Sequence, residues 1–97
     1  MLLKNVIGTS QRTCRCGTWL AHWENFSRQT TQFCQHIGCV NRDVVGAHVQ
    51  LYGAGGKVYI YPLCNAHNQS TDLLVVSDNY RLVSANTGET CEATRRW

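Results

Sequence analysis

The chain has 97 residues, six of them cysteine and one proline, with nine basic side chains against six acidic ones and a net charge of +3. A chain of this length makes one small domain and buries only about 60–65% of its unfolded surface, so apolar packing leaves a thin margin that a metal or disulfide staple would widen. The positive charge is spread over Lys4, Arg12, Arg15, Arg28, Arg42, Lys57, Arg81, Arg95 and Arg96, which permits nucleic-acid binding but builds no dense basic stripe.

No apolar run approaches membrane-spanning length, and Met1 to Ile7 is too short and too broken for a secretory core. A cytoplasmic protein without a membrane role is therefore expected, with reduced thiols that hold metal. The competing reading of an even cysteine count is a secreted three-disulfide domain. The absent signal and the pairing of cysteine with histidine oppose it.

In chain order, residues 1–13 read as a strand or a loose arm. Gly17 and Thr18 open a helix through about Arg28, with Thr18 able to cap its free N–H groups. Trp19, Leu20, Trp23 and Phe26 fall at helical spacing and make one aromatic face. That face is expected to pack as core; the alternative is a docking surface over residues 18–28 for a protein partner or for bases. Residues 30–43 form an irregular knuckle around Cys34 and Cys39.

Residues 44–51 alternate, with Val45, Ala47, Val49 and Leu51 on one side and Gly46, His48 and Gln50 on the other, the pattern of a half-buried strand. Tyr52 to Gly56 supply a turn, and Lys57 to Tyr61 return as a second strand that Pro62 is expected to end. A short helix starts near Cys64. Leu73 to Val76 and Arg81 to Ser84 predict a C-terminal β-hairpin joined at Asp78-Asn79, before a polar tail ending in Arg95-Arg96-Trp97. The fold class is α+β.

The chemistry concentrates between Cys34 and Asn68. Cys34-x4-Cys39 and Cys64-x2-His67 are two closely spaced pairs of soft ligands, the donor set of a tetrahedral structural Zn2+. Cysteine three residues before histidine at a helix start puts both side chains on one face of its first turn, where the helix dipole also favours a thiolate. Knuckle, hairpin and ligand-bearing helix together describe a treble-clef zinc module with a ββα element. Cys14, Cys16 and Cys91 remain. With His22 or His36 they offer a second zinc site tying both ends together; the bland alternative is small buried apolar residues.

Gly46-Ala47-His48-Val49, the Gly55-Gly56 turn and Leu63-Cys64-x-x-His67-Asn68 resemble the HNH (His-Me finger) endonuclease family. The resemblance covers about residues 34–70, leaving 1–33 and 71–97 as packing extensions of the single domain. It implies that His48 is a general base activating water against a phosphodiester, and that Asn68 helps hold a catalytic Mg2+ or other divalent ion. Ala47 stands where the family commonly has an acidic metal ligand, and the family's middle asparagine falls near Tyr59. A site with one amide and no carboxylate is a poor trap for a hard cation. The expected function is therefore a zinc-binding, HNH-like module that binds nucleic acid or a protein partner without efficient catalysis. An active metal-dependent endonuclease is the alternative. Residue by residue, the plainer readings are a strand histidine bonded to backbone or solvent for His48, and a helix-turn residue satisfying local backbone for Asn68.

Overall fold

The computed structural model describes residues 1–6 and 14–91. The expected arm beyond Val6, including Arg12, and the Arg95-Arg96-Trp97 tail lie outside the described residues. Five strands and two helices follow the order β1 (Leu2–Asn5), α1 (Trp19–Ser27), β2 (Val44–Leu51), β3 (Tyr59–Cys64), α2 (Asn65–Asn68), β4 (Leu74–Val75) and β5 (Val83–Ser84). All strand pairs are antiparallel, in the spatial order β4-β1-β2-β3-β5. This is a small α+β domain. Among the described residues, no helix is long and apolar enough to cross a membrane.

The helix starts as its sequence dictates. Thr18 is extended, and its hydroxyl oxygen accepts the Ala21 N–H at 3.0 Å. The helix stops at Arg28, whose φ of 61° is left-handed and whose N–H donates back to the Glu24 carbonyl. Trp23 is fully buried on the sheet, and its indole N–H donates to the Arg81 carbonyl at 2.7 Å. The aromatic stripe is thus largely spent as core, with Phe26 left exposed. A docking role for that stripe has little surface to use.

The β2–β3 hairpin runs in register from Val44 opposite Cys64 to Val49 opposite Tyr59. Its turn passes through Gly53 and Gly55, both at positive φ that glycine adopts without a Cβ penalty. Strand partners share a face, so Ala47, Val49, Tyr61 and Leu63 join Leu3, Leu74 and Val76 in one core. Ile60 and Val83 face the other way, under Trp23.

Three expectations change. Burial does not alternate along 44–51, where Ala47, His48 and Val49 are all buried, because α1 covers the second face: the Trp19 ring meets His48 at 4.6 Å, and the α1 backbone lies directly over Gly46. Pro62 does not end the second strand, which starts at Tyr59 and continues to Cys64. Its carbonyl accepts from Gln35 N–H on the side away from β2, so the missing proline N–H leaves the β2 ladder intact. Nor do the last two strands form a C-terminal hairpin. Leu74–Val75 adds to β1 and Val83–Ser84 adds to β3, on opposite edges of the sheet. Two-residue strands gain more from an ordered neighbour than from each other. The connecting segment is held where Ser77 O accepts from the Tyr61 hydroxyl and Arg81 O accepts from Trp23.

Candidate metal centres

The knuckle is a tight turn: Cys39 N–H donates to His36 O at 3.0 Å, and Gly38 at φ 79° lets the chain reverse. A second bond, from Cys34 N–H to Asn41 O at 2.9 Å, closes its base. Cys64 ends β3 and caps α2, and His67 lies on the first turn of that helix. The His67 Nδ1 is 3.3 Å from Cys34 Sγ and 3.2 Å from Cys64 Sγ. Together with Cys39, all four ligand atoms lie within 4.8 Å of one another, a group that could hold a metal ion. The edges of a tetrahedral zinc site with sulfur and imidazole ligands are about 3.5–3.8 Å, so only small adjustments would admit the ion.

The electrostatics favour the same conclusion about the donor set. Burial pushes the Cys34 thiol up to about 12, reinforced by the neighbouring Cys64 and Cys39 thiols against backbone N–H donors at Cys64 and His36. Crowded thiols in a dry place cannot all ionise unless a cation joins them. Burial also opposes ionisation of Cys64, but hydrogen bonds from Asn41, the His67 backbone and the Cys34 and Cys39 thiols outweigh it, and its pKa falls. Burial, with the charge of His36, lowers His67 and keeps its imidazole in the neutral, ligating form. His36 stacks on His67 with ring centroids 4.1 Å apart and planes 5° from parallel.

Cys14, Cys16, His22 and Cys91 make a second group of ligand atoms within 4.8 Å of one another. His36, the other histidine considered for it, stacks on His67 beside the first centre and is in neither ligand group. His48 lies on β2 and Asn68 ends α2. Asn5, a same-face partner of Val49, donates through its amide to His67 O at 2.7 Å and Ser70 O at 2.8 Å, which seats α2 on that face. His48 points to the opposite face, buried at 6% exposure against Trp19.

Asn5, Asn41 and His36 support the first centre without a recognisable signature in the sequence. Asn41 donates to Cys64 Sγ at 3.5 Å, a longer contact that adds to the thiolate's stabilisation. The only available hint was position: Asn5 interrupts the apolar side of an opening strand. Comparison with family models, curated proteins and solved structures finds no match to this chain. The likeness to HNH enzymes therefore rests on the residues quoted above.

Proposed function

We propose that this chain is a zinc-stabilised, HNH-like treble-clef module that binds nucleic acid without cleaving it. The observation that carries the reading is the convergence of Cys34, Cys39, Cys64 and His67 within 4.8 Å. Four protein donors fill a tetrahedral zinc and leave no open position for water or substrate, which suits a structural ion. Such an ion contributes on the order of 10 kcal/mol to folding in small modules. The burial of His48 against Trp19 argues against the endonuclease alternative, as does Ala47 at the acidic position. The surplus of nine basic over six acidic residues supports a polyanionic ligand. A cytoplasmic location, where thiols stay reduced and hold metal, would suit both cysteine–histidine groups.

Zinc-loaded protein should retard DNA or RNA in a gel, with affinity falling steeply as salt rises. With added magnesium, neither the parent nor His48→Ala should cut a plasmid. Cleavage that disappears in His48→Ala would overturn the non-catalytic reading; absent retardation at low salt would overturn the nucleic-acid ligand.

A protein partner is the second reading, and one observation favours it. Phe33, Ile37 and Val40 stand exposed around a hollow of about 320 Å³ beside the knuckle, with the Arg42 guanidinium 5.0 Å above the Phe33 ring. Such an apolar rim suits a side chain better than a phosphate. Protein association that Ile37→Ser and Val40→Ser abolish, in a chain that leaves nucleic acid unretarded, would select this reading.

A further inference from the structure

We infer that Cys14, Cys16, His22 and Cys91 form a second zinc centre, a clasp that joins α1 to the turn after β5 and releases its metal before the first centre does. His22 is the key. It is fully buried, and its Nε2 lies 2.9 Å from the Ser84 carbonyl oxygen. A carbonyl can only accept, so Nε2 is the donor, and in the neutral imidazole the lone pair then sits on Nδ1. That lone pair faces Cys14 Sγ at 3.3 Å, with Cys16 Sγ at 4.0 Å. An outer carbonyl fixing the tautomer of a ligating imidazole is the usual arrangement around protein-bound zinc.

The thiols are prepared in a similar way. Gly17, at φ 96°, closes a turn in which its N–H donates to Cys14 O, while the Cys16 N–H donates to Cys14 Sγ at 3.2 Å. An amide N–H on a sulfur offsets part of the burial that opposes the metal-binding thiolate. Cys91 arrives from a third segment, just past the 3-10 turn Thr87–Glu89. That turn is itself held: Asn86 caps it through Gly88 N–H, and the Ser84 hydroxyl donates to Glu89 at 2.8 Å. A single S–H···N bond would explain Cys14 beside His22. It does not explain three thiols from two ends of the chain meeting one imidazole nitrogen.

The clasp has a structural consequence. Ser84 and Arg81, which receive His22 and Trp23, belong to the β5 edge, so a metal at Cys91 would lock α1 to that edge at a third point. Closing a loop that spans most of the chain restrains a large part of the unfolded ensemble. Exchange should nevertheless begin here. Three of its four ligands, Cys14, Cys16 and Cys91, are half-buried, against Cys39 and His67 at the first centre, where Cys34 and Cys64 are 3% and 0% exposed. A competing chelator attacks through an accessible sulfur, and this centre offers three against the single Cys39 of the first.

The test uses the full chain. Titration with cobalt(II), read by sulfur-to-cobalt charge transfer and tetrahedral d–d bands, should end at two equivalents per chain in the parent. Native mass spectrometry of the zinc form should count two ions, and transfer of zinc to a chelating dye should show two phases. Cys91→Ala and Cys16→Ala should each hold one ion and lose the faster phase, whereas Cys34→Ala should lose the slower one. A parent chain that saturates at one equivalent overturns the inference, even if every variant misfolds. So does a Cys91→Ala protein that still holds two ions. Because Cys34→Ala reports on the first centre alone, failure of that centre is distinguishable from failure of the clasp.

Discussion

Replacing Gly46 by alanine measures how closely α1 is seated on the sheet. A Cβ at this position would lie 2.4 Å from Trp19 C, 2.5 Å from Leu20 N and 2.6 Å from Trp19 O. Carbon atoms in contact need about 3.5 Å, so the helix must retreat by about 1 Å. All three atoms are backbone, and no rotamer change relieves the overlap. A 1 Å gap forfeits about a quarter to a half of the dispersion contact of the side chains that α1 buries, Trp23 first among them. Overpacking of this kind costs about 1–3 kcal/mol, and the rigid obstacle places Gly46→Ala near the upper end. At about 4–8 °C per kcal/mol for a domain of this size, the melting temperature should fall by roughly 10–20 °C. Because α1 carries His22, the faster phase of zinc release should accelerate while the slower phase is unchanged. Thermal unfolding of the zinc-loaded chain by circular dichroism, with dye-monitored zinc release, reads both effects. Gly56→Ala is the control, since its Cβ would meet only Gln50 Nε2 at an ordinary 3.9 Å. A Gly46→Ala protein that melts with the parent would refute the seating of α1 described here.

Three further outcomes are expected. Asn5→Ala removes the buried amide that holds His67 O and Ser70 O. It should cost about 1–3 kcal/mol in urea unfolding and weaken the first centre, whereas an unchanged zinc affinity would show α2 to be seated otherwise. Arg28→Gly, at a left-handed helix end, should raise stability by about 0.5 kcal/mol; a loss would show that the arginine side chain does more than tolerate its φ of 61°. The third concerns protons. With Cys34 pushed up to about 12 and Cys14 to about 11 by burial, these thiols are protonated at neutral pH before metal arrives. His67, lowered by burial and by His36, is already neutral and contributes no proton there. Zinc binding should therefore release protons, and its affinity should rise with pH and fall in acid. Calorimetry in two buffers of different ionisation enthalpy measures the release; zero protons per zinc would contradict the protonated thiols.

What the sequence determined by itself is local. Thr18 and the aromatic spacing located α1, because a cap and a 3.6-residue period depend only on nearby backbone. The spacings Cys34-x4-Cys39 and Cys64-x2-His67 named two half-sites for the same reason: a knuckle and a first helical turn present their ligands over a few residues. The alternation of 44–51 located β2 and the direction of each side chain along it. Which faces and edges would be covered was decided only by elements remote in sequence. The β1 strand took β4, and β3 took β5, so the expected hairpin opened to both edges. Pro62 stayed within its strand because its amide side faces the knuckle and not β2. His48 kept the strand position that resembled a catalytic histidine, yet α1 closed over it while α2 settled on the other face. The choice of His22 over His36 came from the same source, since a ligand set spread over distant segments exists only once the sheet has carried those segments to one point. Spacing encodes the directions of side chains; packing determines what they meet.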